Sequence, residues 1–507
     1  MHPIAVLARR TIPRRACLAL LALAAANAVG CGGKGVGSAD STSNGSTTVT
    51  ILATSDANGQ LSEFDVVLTS LKLIGNSGKT IDLITTPIHA EFMHVNGTSE
   101  PLFTVSVPQG TYTSATASVG TSGFTCVSLN PSTSNGLQIS YFGNELASTP
   151  DVTVNLPMPI TITGTSMSLS LDLLVSQSAT WTTCNPNGIE PFAVTPTFKL
   201  IPLTASSATM NGQNGIESGL KGLIASVDGP AKGFTVTAAD GAGCAAAQGQ
   251  SGCVSTVDGP LWKVVSNGST SYQGITGFSQ LAAGMPVDMD AALQPDGSLQ
   301  ATRVAVYDMN DVDLTTANGP LLFVSGAWPA LDSYPREELG PLKIGSYIPF
   351  NFSSAVFQTS SHFRNLSNLP FTASFNASNM IAGQNTYIST HALSLSIGPT
   401  FVPATTITLM PQTVNGTVKI IASEGGFTTY GVTLAPYDLF PQLSVQAGQT
   451  TLLTNPDTVV VYTDSNTQML NSRPIAVGDV VRFYGLVFND NGTLRMDCAQ
   501  INDGVAE

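Results

Sequence analysis

Gly416–Leu434 reads GTVKIIASEGGFTTYGVTL, two runs of β-branched and aromatic residues joined at a Gly-Gly pair. Such runs favour extended strands, and adjacent glycines supply a tight reversal, so the stretch predicts a β-hairpin. The same opening occurs twice upstream. Gly222 begins GLIASVDGPAKGFTV and Gly319 begins GPLLFVSG, at a spacing of 97 residues both times (319 − 222 and 416 − 319). A second anchor recurs later in each unit, at Gly284-Met285-Pro286-Val287, Gly383-Gln384-Asn385-Thr386 and Gly478-Asp479-Val480-Val481. The turns Pro295-Asp296-Gly297-Ser298 and Asp490-Asn491-Gly492-Thr493 lead into closing strands at Leu299–Val306 and Leu494–Ile501, while Thr405–Leu409 closes the middle unit. Asp-Gly and Asn-Gly pairs between alternating strands are strong hairpin signals. The chain therefore reads as three tandem β modules of small-barrel form, over 222–311, 312–415 and 416–507.

The Gly-led strand, the F-T-V-like strand, the G-x-x-V strand and the final hairpin of the first and third units resemble an uncharacterised bacterial family of small-barrel repeats. The middle unit departs most from that pattern, with an inserted loop around Trp328–Pro349. Upstream of a polar linker at 207–221, residues 48–206 run through short β-rich stretches, including Phe64–Ile74 (FDVVLTSLKLI) and Met167–Val175. Leu169, Leu171 and Leu173 alternate with Ser and Asp, the signature of a strand with one apolar face. Many short strands separated by turn residues predict a two-sheet sandwich. Ser55-Asp56-Ala57, Phe64-Asp65-Val66, Pro108-Gln109-Gly110-Thr111-Tyr112 and Phe192-Ala193-Val194-Thr195-Pro196 resemble a domain of unknown function that recurs in bacterial lipoproteins. That family brings no catalytic residues with it. The expected fold class is all-β: an N-terminal β-sandwich followed by three tandem small β-barrel-like modules.

The N-terminus carries a different signal. Arg9, Arg10, Arg14 and Arg15 precede an apolar run over Ala16–Ala26, too short to span a bilayer and ending in small residues. This is the grammar of a secretory signal peptide, with the paired arginines as its basic start. Ala28-Val29-Gly30-Cys31 resembles the lipobox of bacterial lipoproteins, in which the cysteine becomes the acylated N-terminus; Ala28 stands where that family most often has Leu. The other reading of these residues is ordinary cleavage after Ala26-Asn27-Ala28. On the lipobox reading, 1–30 is the signal peptide and Cys31 the lipidation site. Residues 31–47 then form a Gly/Ser-rich tether. The resemblance further implies that Gly32 after the cysteine directs the protein to the outer membrane or cell surface of a diderm host.

Charged residues make up 10% of the chain, and 48 Gly and 30 Pro disfavour long solvent-facing helices. Removing 1–30 takes away four arginines and no acid, leaving 15 basic against 33 acidic residues, net −18. Such a surface repels nucleic acid and anionic headgroups, so the acyl chains are expected to make the membrane attachment. Five cysteines remain in the mature part beyond Cys31. In an oxidising compartment, proximity pairs Cys244 with Cys253 and leaves Cys126 with Cys184, placing Cys498 outside both bridges as a buried thiol. A zinc site over Cys244 and Cys253 has poor spacing and no nearby His.

Catalytic signatures are weak throughout. Leu73–Thr80 (LIGNSGKT) ends like a phosphate-binding loop, but Leu73 stands where its first Gly belongs, and it joins two strands. Asp308–Asp313 (DMNDVD) approaches a calcium loop, with Val312 at a required oxygen-ligand position. His89 and His94 flank Glu91, but strand alternation puts 94 on the opposite face unless the segment turns. His362 and His391 are isolated, and Trp181, Trp262 and Trp328 read as packing residues. The expected function is a non-catalytic binding or structural module of the cell envelope, with no cofactor and no catalytic or metal residues assigned. Its partners would be the membrane, through the lipid, and polysaccharide or another envelope protein. The alternative is a glycosidase-like surface hydrolase using paired loop carboxylates.

Peptide mapping under non-reducing conditions tests the cysteine assignment. It should recover Cys244 linked to Cys253 and Cys126 linked to Cys184, the shorter loop stabilising its module by about 2–3 kcal/mol. A bridge from Cys498 to any of the four would overturn it.

Overall fold

The computed structural model describes residues 45–56, 61–129, 137–144, 151–178, 195–203, 216–238, 259–306, 317–325, 330–333, 348–360, 366–389, 402–436, 438–443, 453–469 and 474–502. Cys31, Cys184, Cys244, Cys253, the signal, the tether up to residue 44, the 308–313 acidic run, His362, His391, Trp181 and Trp328 lie outside them; the last residues expected in the tether, Ser46 and Thr47, instead open the first strand. Strands dominate what is described, and no helix there is long and apolar enough to cross a membrane.

The N-terminal sheet comprises β1 (Ser46–Ser55), β2 (Leu61–Gly75), β3 (Thr80–Asp82), β4 (Ile88–Glu91), β5 (Glu100–Pro108), β6 (Gly110–Leu129), β7 (Leu137–Asn144), β8 (Asp151–Asn155), β9 (Ile160–Ile162), β10 (Ser166–Leu173) and β11 (Phe198–Leu203). They form one ladder in the order β3-β2-β6-β8-β11-β10-β1-β5, with β4 added to β2, and β7 and β9 added to β6. One continuous sheet encloses a core because its long strands bend. β2 and β6 slip register four times along their pairing, and β6 passes from β9 to β8 to β7 along its other edge. Each bulge adds a residue on one side, raising the local twist and letting the sheet fold over. Phe64, Val66 and Leu68 of β2 thereby meet Leu169, Leu171 and Leu173 of β10 and Phe198 of β11 in one cluster. LIGNSGKT is the β2–β3 hairpin, with Gly78 at φ 76 and its N–H donating to Gly75 O.

Three smaller sheets follow. The first is β12 (Ile216–Asp228), β13 (Gly233–Ala238), β14 (Leu261–Val265), β15 (Ser271–Gln273), β16 (Pro286–Leu293) and β17 (Leu299–Val306). The second is β18 (Ala317–Ser325), β19 (Ala330–Ser333), β20 (Ile348–Asn351), β21 (Val356–Thr359), β22 (Asn385–Ser389), β23 (Val402–Pro403) and β24 (Thr406–Leu409). The third is β25 (Gln412–Glu424), β26 (Phe427–Leu434), β27 (Thr458–Thr463), β28 (Gln468–Met469), β29 (Val480–Asp490) and β30 (Thr493–Asn502).

The first and third close into rings through the parallel pairs β14–β17 and β27–β30. Counting the ring strands in chain order, the circuit is 1-2-3-5-4, the connectivity of the oligonucleotide/oligosaccharide-binding barrel. The middle unit, which departs most in sequence, follows the same circuit with its fifth strand split into β23 and β24. Between them Ala404 N–H donates to Asn351 O of β20 and Thr405 N–H to Ser389 O of β22, so the chain changes partner at the split and closes the ring. Each barrel also carries one short strand (β15, β21, β28) parallel to its closing strand.

The repeated glycines explain the shared geometry. Gly284, Gly383 and Gly478 have φ of 87, 95 and 100, a left-handed conformation that disfavours other residues. Each makes the same reciprocal exchange with the first strand: Gly284 with Ile224, Gly383 with Leu321, Gly478 with Val418, the return bond in each case ending on the carbonyl of the residue after the glycine. Gly222 and Gly416 meet a different demand. A Cβ at either would drive into the carbonyl oxygen of Thr237 or Thr433 on the neighbouring strand.

The barrels are not strung out as independent beads; Ser43–Glu507 is one compact unit. Arg482 of β29 is buried against β10, donating to both carboxylate oxygens of Asp172 (3.2 and 3.0 Å) and to Ser55 O (2.6 Å). Gln500 Nε2 donates to Gly97 O and Asn502 Nδ2 to Thr54 Oγ1 along the same seam. Gln384 Nε2 bonds Val487 O, and Leu486 and Phe488 of β29 complete the core of the second barrel.

Substitutions at Gly416 and Arg482, with Gly110 as a control, test these constraints by urea denaturation. Gly416→Ala should destabilise by about 3 kcal/mol, the scale of forced overpacking. Gly110→Ala, where nothing lies near the added Cβ, should be close to neutral. Arg482→Ala leaves Asp172 buried without its cation and should cost about 3–5 kcal/mol, most of it recovered by Arg482→Met with Asp172→Leu.

Candidate functional site

A group of buried and half-buried ionisable side chains lies where the N-terminal sheet meets the first barrel. It begins at β4, which stops at Glu91. The chain turns at once, with Asn96 N–H on Met93 O and Thr98 N–H on Val95 O. The buried Glu91 carboxylate organises the turn: Oε1 accepts from Phe64 N–H and Met93 N–H, both at 2.7 Å, and Oε2 from His94 N–H at 3.0 Å. The turn brings His94 back onto Glu91, Nδ1 to Oε2 at 2.8 Å, which strict strand alternation had placed apart. His94 Nε2 then lies 2.9 Å from Glu100 Oε2. Each ring nitrogen of His94 therefore faces a carboxylate oxygen, and the imidazole ties Glu91 to Glu100. His89 belongs to a separate pair, Nε2 2.9 Å from Asp65 Oδ1 on β2. Among the described residues no group of three or more His, Cys, Asp or Glu side chains is arranged to hold a metal ion.

Ser99, Glu100 and Pro101 carry this cluster to the first barrel. Ser99 Oγ donates to Glu217 Oε2 of β12, and Trp262 Nε1 of β14 donates to Pro101 O at 2.7 Å. Glu217 is fully buried, and its pKa is pushed up to about 7: burial raises it most, the Ser99 bond lowers it, and the charge of Glu100 raises it. Within the barrel, Arg303 spans Asp288 and Asp290, with Nε to Asp290 Oδ2 at 2.7 Å. Burial works against the guanidinium charge, but the two aspartates outweigh it and hold its pKa above the ordinary value.

A second locus is the outer face of β26 and β27 in the third barrel, the surface that barrels of this connectivity use for ligands. Here it is covered from within the chain. Phe371 of the second barrel stacks on Tyr462 at 4.9 Å between ring centres, and Arg495 lies 5.7 Å from both rings. Tyr462 OH donates to Glu424 Oε2, and burial raises the phenol's pKa to about 12. The corresponding strand of the first barrel, β14, keeps its outer residues Leu261, Lys263 and Val265 exposed.

The structure brings together Glu91 and His94, noted in the sequence, and adds Ser99, Glu100 and Glu217, which sequence reading missed. Trp262 proves to be a core residue of the first barrel. Cys126 sits in β6, and neither bridge assigned from sequence falls within the described side chains. Cys498 is buried in the third barrel, its Sγ on Gln500 O. A usable signal existed for the ionic joints. In a chain with 10% charged residues, an Arg or Asp inside an alternating apolar strand (Arg482, Asp172, Arg303, Asp288) marks a buried partner.

No curated protein matches the chain. Among solved structures, the chain described as drosophila Unr CSD456 is similar at 12% identity, covering 57% of this chain and 99% of its own. The TM-score is 0.13, too low to carry an argument. Residues 221–305, running from β12 to β17, match the family described as Domain of unknown function (DUF5666). The first barrel is therefore similar to that family over residues 221–305.

Proposed function

We propose that the protein is an exported, lipid-anchored, non-catalytic component of the cell envelope, acting as a binding or structural module at the outer membrane or cell surface. One observation carries the non-catalytic reading: among the described residues, buried ionisable side chains close on one another. Arg482 meets Asp172, Arg303 meets Asp288 and Asp290, and His94 bridges Glu91 and Glu100. Catalysis needs such groups converging where a substrate can reach them. Here Arg482 and Asp172 hold two modules in register, while the other two groups brace the first barrel and the N-terminal sheet from within, as a scaffold requires. The lipobox-like Ala28–Cys31 and the net charge of −18 after residue 30 support attachment by acyl chains. The partner class is envelope polysaccharide or another envelope protein.

The two halves of this reading are tested separately. Cys31→Ser should abolish incorporation of labelled palmitate and move the protein from the membrane pellet to the soluble fraction; retention in the pellet would reject the anchor. Purified Gly32–Glu507, applied to a glycan array and a glycoside hydrolase panel, should show saturable binding without turnover. Turnover lost on mutating a single carboxylate would establish the hydrolase instead.

A further inference from the structure

We propose that the seam between the N-terminal sheet and the first barrel is a proton-controlled joint, closed while the Glu217 carboxyl is protonated beside Glu100 and loosened when that proton leaves. The inference goes beyond the envelope function and does not depend on it. Its basis is where β5 begins. Ser99, Glu100 and Glu217 are all buried, and the three consecutive residues Ser99, Glu100 and Pro101 face the barrel at two points, Ser99 to Glu217 and Pro101 O to Trp262. Both points lie on the barrel's own strands, so opening one exposes the other.

Among the described residues, Glu217 receives the Ser99 hydroxyl but no cation pairs with it. From the N-terminal sheet come Ser99 and Glu100, and behind Glu100 stand His94 and Glu91. From its own barrel comes Asp290, which accepts from Gly219 N–H and is already engaged by Arg303. The third barrel presents Tyr484, whose hydroxyl lies against Gly219, and the Gln468 amide, which bonds Ile216 O. The charge that acts on Glu217 is therefore that of Glu100, a like charge across the seam. As a neutral acid Glu217 sits in this site without cost from Glu100; as an anion it puts two carboxylates in one dry joint.

The direction follows from linkage. Closed, the carboxyl holds its proton up to about pH 7; released to water, it returns to the ordinary value of 4.5. The acid's pKa is raised in the closed state, so its stabilisation is fully present below pH 4.5 and is lost as pH rises through 7. A shift of that size changes the opening equilibrium by roughly 300-fold at full deprotonation.

Amide hydrogen exchange on the full-length protein, corrected for the intrinsic rate at each pH, reads the joint directly in peptides covering Ser99–Thr104 and Leu261–Val265. Between pH 5 and 8.5 the wild-type seam should lose protection by roughly 75-fold, with a midpoint near 7, while β29–β30 peptides stay unchanged. Glu217→Gln, isosteric and uncharged, should stay protected across the range. Glu100→Gln should move the midpoint down, and Ser99→Ala, which deletes the bond favouring the anion, should move it up. Wild-type protection that is flat with pH, or the same loss in Glu217→Gln, overturns the proposal. If Glu217→Gln does not fold, the opposed midpoint shifts decide, and a midpoint unmoved by either variant rejects the joint.

Discussion

The third barrel is bound to the N-terminal sheet by one guanidinium taken out of water. Desolvating Arg482 is costly, and attraction to Asp172 repays it only if the remaining N–H groups find acceptors. Ser55 O at the end of β1 supplies one. Asp172 sits on β10, the strand that pairs β1 in parallel, so the two acceptors are positioned by a single ladder. A guanidinium fork tolerates little misalignment, so this contact fixes how barrel and sheet meet. Around it the Gln500 and Asn502 amides satisfy backbone and hydroxyl groups of the same seam, which apolar packing alone would bury without partners.

Within each barrel the corresponding constraint is backbone rather than charge. The first strand must bend where the fourth begins, and a left-handed glycine exchanges two bonds with it at that point in all three units. A further echo joins the first and third barrels. Asn267 N–H to Thr270 Oγ1 and Asp464 N–H to Thr467 Oγ1 build the same turn, and each threonine then donates to a carbonyl of the closing strand. The middle barrel has diverged further in sequence yet retains the circuit, because closure needs the ladder ends to meet and tolerates a split fifth strand.

The candidate site was half legible. Glu91 and His94 stood out as residues, but not their contact, because period-two alternation assumes a strand that continues past Glu91. The carboxylate itself ends the strand by accepting two successive backbone N–H groups, at Met93 and His94. Gly, Asn and Ser around Glu217 predict a polar linker, yet β12 begins at Ile216. Its partner Ser99 is more than a hundred positions away in the chain, and no local pattern encodes that separation.

The sequence by itself determined the all-β class, the spacing of the three glycine-led units, the β2–β3 hairpin and the apolar face of β10. Each is a local property, set by β-branched alternation or by backbone conformations that only glycine adopts readily. What the polar face of β10 meets was decided elsewhere. Alternation places Ser170 and Asp172 opposite the leucines, as it would on a strand facing water, but both are buried beneath a barrel whose arginine lies 310 positions further on. The sequence contains both charges and does not contain their distance. Only folding the sheet over its core, and closing the last barrel against it, turns two isolated ionisable residues into a joint.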